Sequence, residues 1–427
     1  TAIETCGMGQ RDFYQKAAEL GATFLYDIKC IDPELHSKLT GADNTRILSN
    51  LRYLMDIGAD IIIRLPLIPG CNDSERDIAL LAELLNENNE VIVRPLADGG
   101  EGTVEAIVDA LGGEIVKVQV SDPLGRKIET YYGIAGETAI LEMAAASGLP
   151  LLKVEERNPW ATSTLGTGEM IMDAIARGCR KFLVGIGGSA TNDAGIGMLQ
   201  AMGFRFYDAN GELITQGCGG MLGSIARIDD SLVSAAVKES QFTVACDVDT
   251  PFCGPEGAAP VFAPQKGADA EMVKRLDEGM ASFAKVIAEK YAIDVVPVAG
   301  AGAAGGMGGA FRAFLGATLK KGIDMVLDAI DFDTTIQGAN LVITGEGKVD
   351  FQTAKGKTAA GVLNRAKQQH IPVVAIGGCV EMCDSLVQMG FAGIYPILEE
   401  KVPLEVAMQR DFAMSNVTKT VARILSR

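Results

Sequence analysis

The placement of glycine constrains this chain more than any other feature. At four places a glycine cluster follows or precedes apolar strand-like or helical runs: Ala97-Asp98-Gly99-Gly100-Glu101-Gly102-Thr103, residues 185–193 (GIGGSATND), Gly300-Ala301-Gly302-Ala303-Ala304-Gly305-Gly306, and residues 344–350 (TGEGKVD). A parallel strand that ends in glycines and feeds a helix gathers unpaired N–H groups and the positive end of the helix dipole at one point. Such a point favours a phosphate. Glycine makes up 50 of 427 residues, well above the usual ~7%. Together with 48% hydrophobic and 6% aromatic residues, this suits an α/β enzyme with many tight strand-to-helix turns.

Acids and cations keep company with these glycines. Asp98, Glu101, Asp193, Glu346 and Asp350 lie inside or beside the loops, with Ser189, Thr191, Asn192, Lys348 and Lys357. Phosphoryl transfer needs that mixture: carboxylates for Mg²⁺, backbone and Lys for phosphates, and an acid to accept the hydroxyl proton. Asp193, just before the run Ala194 to Met202, reads equally well as a helix N-cap.

Two nucleotide-binding patterns are weaker. Gly300 to Gly305 matches GxGxxG with Asp324 following, the outline of a dinucleotide-binding turn. Close helix packing explains a tract of nearly pure Gly and Ala at least as well. Gly356-Lys357-Thr358 suggests a P-loop, but its first glycine would fall at Phe351. Any ATP is therefore held without a Walker A loop.

Charge narrows the partners. The net charge of −17 sets up a field that repels nucleic acid and anionic lipid over most of the surface. The nine cysteines are scattered without a CxxC pair, as expected of reduced thiols in the cytoplasm. Two histidines, His36 and His370, argue against a Ser-His-Asp triad or a His-rich metal site. The longest apolar run, Val295 to Phe311, is broken by glycines and Pro297 and is no standard spanning helix. No signal peptide is expected, and the opening residues read like the middle of a domain.

At 427 residues the chain has room for two or three domains. The first ninety alternate between periods of 3.6 and 2: helix at Phe13 to Leu20, strand at Thr23 to Lys29, helix at Asn44 to Ile57, strand at Asp60 to Pro66, helix at Ser74 to Leu85. That alternation marks βα units on a parallel sheet. A polar break at residues 86–90 suggests a boundary. Beyond it come a strand at Val91 to Arg94, a helix at Val104 to Leu111, and strands at Ile115 to Val120, Lys127 to Tyr132, Ala139 to Met143 and Phe182 to Ile186. An amphipathic stretch, Glu271 to Tyr291, and late strands at Leu341 to Ile343 and Val373 to Ile376 follow.

From about Val91 to Arg427 the sequence resembles the bacterial type I glycerate kinases, through ADGGEGT (97–103), GGSATNDAG (187–195), CDVDTPFCGPEGA (246–258), the Gly-Ala tract (300–309) and TGEGKVDFQTAKGKT (344–358). The resemblance implies ATP-dependent phosphorylation of D-glycerate to a phosphoglycerate. It also implies two α/β domains with largely parallel sheets, one inserted in the other, with the site in the cleft between them. The expected boundaries are 90–120 with 298–427 for the discontinuous kinase domain and 121–297 for the insert. Residues 1–89 resemble the later half of a radical-SAM activating enzyme of the pyruvate formate-lyase type, through ETCG (4–7), YDIK (26–29), LTGADNTRILSNLRYL (39–54) and RLPLIPGCND (64–73). That family's CxxxCxxC cluster motif does not occur, and Cys6, Cys30 and Cys71 are too far apart to imitate it. The segment is expected to be a truncated half-barrel fused where the kinase's opening strand, loop and helix would stand.

The expected site follows. Asp193, Asp98 and Lys348 are candidates for the chemistry. Gly99, Gly100, Glu101, Gly187, Gly188, Ser189, Thr191, Asn192, Gly345, Gly347 and Lys357 are candidates for holding substrate or nucleotide. Glu346 and Asp350 are candidates for the metal, on a turn after Leu341 to Ile343. ATP, Mg²⁺ and D-glycerate are the expected ligands, and a homodimer stays open. The rival readings are a non-catalytic fusion product keeping the kinase fold and, further off, a nicotinamide-dependent oxidoreductase.

Overall fold

The computed structural model describes residues 2–28, 31–33, 36–37, 42–64, 92, 94–100, 102–351, 353–355, 358–398, 402, 404–407 and 409–425. The expected helix Ser74 to Leu85, the polar break, Cys30, Cys71, Glu101 and Lys357 lie outside them, as does part of the strand Val91 to Arg94. The chain divides into two compact units, residues 1–93 with 396–427, and residues 94–395.

In the first unit, strands β1 (Ala2–Thr5), β2 (Thr23–Asp27) and β3 (Asp60–Arg64) form a parallel sheet in that order. Helices Arg11–Glu19 and Thr45–Asp56 connect them, each followed by a glycine at positive φ, Gly21 and Gly58. The helix spacing places Tyr14 with Ala17, and Ile47 with Leu51 and Leu54, on buried faces against Phe24 and Tyr26. Each large side chain so buried contributes about 1.5–3 kcal/mol. Tyr26 donates to the Ile47 carbonyl at 2.7 Å, so its hydroxyl is satisfied inside the core. Helix Arg410–Leu425 also belongs to this unit.

The second unit carries strands β4 (Glu114–Ser121), β5 (Lys127–Ala135), β6 (Thr138–Glu142), β7 (Lys181–Gly185), β8 (Arg205–Tyr207), β9 (Leu213–Ile214), β10 (Arg227–Asp229), β11 (Gln241–Ala245), β12 (Thr318–Lys320), β13 (Val342–Val349), β14 (Val373–Val380) and β15 (Gly393–Pro396). Its main sheet has the order β12-β11-β7-β6-β5-β4. The first four run parallel and the last two antiparallel. Ala139, Ile140, Leu141, Phe182, Val184, Phe242 and Val244 are all buried, the near-continuous apolar reading of strands covered on both faces. β4 and β5 are joined only by the turn at residues 122–126, where Asp122 accepts from the N–H groups of Leu124 and Arg126. So short a link permits only an antiparallel pair.

Helix Ala270–Tyr291 is capped by Asp269, which accepts from the Met272 N–H at 2.8 Å, and buries Leu276, Met280, Phe283 and Ile287 at helical spacing. β8, β9 and β10 form a small antiparallel sheet that the sequence pattern did not reveal, because strands of two or three residues carry no readable period.

The third sheet, β13-β14-β15, departs from expectation. The stretch expected as a turn after Leu341 to Ile343 is a continuous strand to Val349, parallel to β14 with Gly345 opposite Ile376 and Lys348 opposite Cys379. Gly347 and Gly378 pack so closely that a side chain at 378 would meet the Gly347 carbonyl. Glycine is depleted in strands generally, so a glycine-rich strand reads as a loop.

Candidate active site

The carboxyl ends of β6, β7 and β11 lie side by side, and three loops leave from or pack on them. Gly99 sits where a Cβ would meet the Ala245 side chain at 2.6 Å and the Gly322 Cα at 2.9 Å, and a Cβ on Gly185 would lie 2.5 Å from the Gly99 carbonyl oxygen. These glycines exist for close backbone approach. Gly100 and Gly102 differ: beyond the Asp98 carboxylate at 3.2 Å from the first, nothing presses on them. The exposed Asp98 folds back to accept from the Gly100 N–H at 3.3 Å. Helix Thr103–Leu111 follows, but the N–H of Val104 is already taken by Glu142 at 3.1 Å.

Asp98 belongs to an acidic group assembled from three segments. Asp247, after β11, accepts from the Gly322 N–H at 2.9 Å at the start of helix Gly322–Ala329. Although the residue is exposed, partial desolvation pushes its carboxyl above the usual range. The negative charges of Asp98 and Asp324 add to the rise, while the Gly322 N–H and Lys321 oppose it. The sequence reading quoted Asp247 within a motif without singling it out. Only the fold brings positions 98, 247 and 324 together.

The second loop starts open and ends closed. Gly187 and Gly188 are exposed, and a Cβ on Gly187 would touch nothing. From Ser189 the chain turns inward, and Thr191, Asn192 and Asp193 are fully buried. One oxygen of Asp193 accepts from the Thr164 N–H (2.8 Å), the Thr164 hydroxyl (2.8 Å) and the Gly197 N–H (3.3 Å), and the other from the Gly195 N–H (3.1 Å). The Thr164 hydroxyl itself accepts from Met198 N–H at 2.9 Å, which aims its proton at Asp193. Burial pushes the Asp193 carboxyl up against these hydrogen bonds. Asp193 thus lies enclosed two residues ahead of Gly195, the N-cap of helix Ile196–Ala201, and accepts from the Gly197 N–H in its first turn, an arrangement akin to the capping role open in the sequence.

Beneath this loop lies a residue that sequence reasoning missed. Lys266 is 1% exposed, and its ammonium nitrogen lies 2.7 Å from the Ser189 hydroxyl and 2.6 Å from the Thr191 carbonyl. Desolvation draws its pKa down to about 7, with the Asp193 charge opposing. One signal was present: Lys266 is the lone charged residue in 257–268.

The Gly-Ala tract is filled by protein. Gly302 packs on Pro251, Gly305 on Thr191, Gly308 on Gly300 and Gly309 on Phe252. The tract forms helix Ala303–Leu315 with Ala304, Gly305 and Gly306 at positive φ inside it, and residues 303–311 are buried. No room remains for a pyrophosphate, so the nicotinamide reading loses its only support.

The 344–350 segment forms a separate cluster on β13. Glu346 bonds the Thr353 hydroxyl, which also accepts from the Asp350 N–H at 3.2 Å. Lys348 bridges Asp350 at 3.2 Å and Glu381 at 2.9 Å. Gly347 is exposed with open space around it, and Gly345 is exposed beside Ile376.

An α/β protein with open glycine turns, acids and lysines at the carboxyl ends of parallel strands belongs to the class that handles phosphorylated ligands. The comparisons agree. The chain belongs to the glycerate kinase family, whose model matches residues 74–427. It is 46% identical over 318 residues to the glycerate kinase of Bacillus subtilis strain 168, spanning 74% of this chain and 83% of that one. The Escherichia coli K12 glycerate 2-kinase is 44% identical over 336 residues, covering 77% and 88% respectively. A crystal structure assigned as glycerate kinase 2 from Salmonella typhimurium LT2 superposes with a TM-score of 0.73 at 42% identity, covering 82% of this chain and 93% of that one. The family match starts at residue 74, earlier than the motifs suggested. The described residues include no helix long and apolar enough to cross a membrane.

Proposed function

We propose that the protein is a kinase that transfers the γ-phosphoryl group of ATP to D-glycerate in the cytoplasm. The observation that carries this reading is family membership at 46% identity together with the exposed Gly187-Gly188 turn and the open space around Gly102 beside the carboxyl ends of the parallel strands. In this reading Asp98, Gly99, Gly100, Gly187, Gly188 and Ser189 face the reacting groups, and Thr191, Asn192 and Asp193 hold their loop rigid. Glu346, Lys348 and Asp350, with Gly345, Gly347, Glu101 and Lys357, serve the nucleotide.

Mg²⁺ accompanies ATP in this reading. Among the described residues no three His, Cys, Asp or Glu side chains converge as a cage. Mg²⁺ asks for less, one or two carboxylates with phosphate oxygens and water completing its shell. Asp98 and Asp247 fit that need, since their mutual repulsion is relieved by a cation. The ion, when bound, neutralises phosphate charge. Glu346 and Asp350, likewise bonded to protein partners, are the second candidates.

Residues 1–89 are in our reading a radical-SAM activase fragment without its cluster motif, joined to the kinase. Its parallel β1-β2-β3 order with intervening helices supports that origin. The test of function is ADP release coupled to NADH oxidation, with and without D-glycerate. Glycerate-dependent release supports the reading, and its absence at saturating Mg²⁺·ATP favours the non-catalytic fold.

A further inference from the structure

We propose that Ser189 and Lys266 form the proton-accepting pair of the phosphoryl transfer, Ser189 touching the acceptor hydroxyl and Lys266 acting through it. This rests on the reading of the protein as a glycerate-phosphorylating enzyme and names the group that takes the proton.

The geometry begins with position. Ser189 is where the exposed Gly187-Gly188 turn enters the interior, and it is 7% exposed. Its backbone is pinned on both sides: the Leu149 N–H donates to the Gly188 carbonyl at 2.9 Å, and the Ala190 N–H to the Ser147 carbonyl at 2.9 Å. Lys266 is equally fixed, on a short 3₁₀ turn Pro264–Lys266 closed by Gly267 at φ +97°, where a side chain would meet the Arg157 carbonyl. The hydroxyl and the amine therefore meet at 2.7 Å without either side chain being free to leave.

The partners of Lys266 admit a neutral amine. An NH₂ group donates to the Thr191 carbonyl and accepts from the Ser189 O–H, whereas an ammonium could only donate to both. Enclosure favours the neutral form, and a pKa of about 7 leaves much of it unprotonated at neutral pH. Asp193, from the 187–195 loop, is the charged group that favours the ammonium. Arg157 lies behind Gly267, and helix Ala258–Phe262, packed on the turn, carries no titratable side chain.

The step then balances. The acceptor hydroxyl gives its proton to Ser189 Oγ as the Ser189 proton passes to Lys266 Nζ. The acceptor oxygen forms a bond to the γ-phosphorus, the bond from that phosphorus to the β–γ bridging oxygen breaks, and ADP leaves with the electron pair. Lys266 returns the proton through Ser189 to solvent. Asp193, enclosed by four donors, takes no part beyond its charge.

The test combines a pH–rate profile with a pH–stability profile for the wild type, Ser189→Ala and Lys266→Met. Wild-type kcat should fall on the acid side with a midpoint near 7, where Lys266 becomes protonated. Ser189→Ala, which keeps the lysine in place, should lose about 10²-fold or more, the lower range for positioned proton transfer, while KM moves little. In Lys266→Met the residual rate should lose that acid limb. Lysine lowered from about 10.4 makes folding release a proton, so wild-type Tm should decline as pH drops from about 10 to about 7 and level off below. Lys266→Met should flatten that decline. An acid limb unchanged in both variants, or an unaltered Tm profile in Lys266→Met, overturns the proposal while leaving the kinase reading intact. A wild type without glycerate-dependent ADP release overturns the kinase reading itself, and the pair with it.

Discussion

Asp193 and Lys266 show what a single residue discloses in sequence and what it does not. An acid closing a glycine loop ahead of an apolar run satisfies a helix cap and a proton acceptor alike, since both need a carboxylate at a turn. Burial bears on the choice, and burial depends on Thr164, Gly195 and Gly197 closing around the side chain. Replacing Asp193 by Asn turns an acceptor of four hydrogen bonds into a group with an NH₂ that faces N–H donors. A buried donor left without a partner costs ~1–3 kcal/mol. We expect Asp193→Asn to lower the denaturant midpoint accordingly, while turnover per folded molecule falls far less than 10²-fold. A loss of 10² or more at unchanged stability would restore Asp193 to the chemistry. Lys266 was hard to read for the converse reason, because its two polar partners lie more than seventy positions away in the chain.

At the scale of elements, period and punctuation carried most of the fold. The helices Arg11–Glu19, Thr45–Asp56, Thr103–Leu111 and Ala270–Tyr291 lie within a few residues of the expected ranges, as do β4 to β7, because each has an apolar stripe ended by a glycine or an acid. Glycine clusters were harder, since one residue type serves three ends. At 187 it leaves space, at 305 it admits neighbouring backbone, and at 345–347 it lies in a strand. Gly305→Ala and Gly187→Ala separate the first two. The former places a Cβ against the Thr191 carbonyl at φ +68°, a strained conformation that costs ~1–3 kcal/mol before any clash. The latter meets nothing and sits at ordinary φ. Thermal melts should show a clear drop for Gly305→Ala and little change for Gly187→Ala. The second variant should instead raise the KM for ATP or glycerate, since a methyl group intrudes on the open turn. Unaltered KM values for both substrates would remove Gly187 from the site.

At the scale of the whole molecule the decisive question is what residues 1–89 do for the kinase. The family match begins at 74 and the second compact unit at 94, so the segments resembling the activase and the kinase meet inside this stretch. Among the described residues β13, eight residues long, pairs on one side only, with β14. Parallel sheets are normally covered at their edges rather than left open. The opening strand and loop of the family, which the sequence motifs lack, would extend such a sheet. Replacing residues 1–89 with a family-type opening segment should therefore raise the melting temperature and the rate of glycerate-dependent ADP release together. If only stability rises, the missing loop has no part in turnover and the sheet alone was at issue. If both chains melt and turn over alike, residues 1–89 already supply a working substitute, and their likeness to an activase would record ancestry without functional loss.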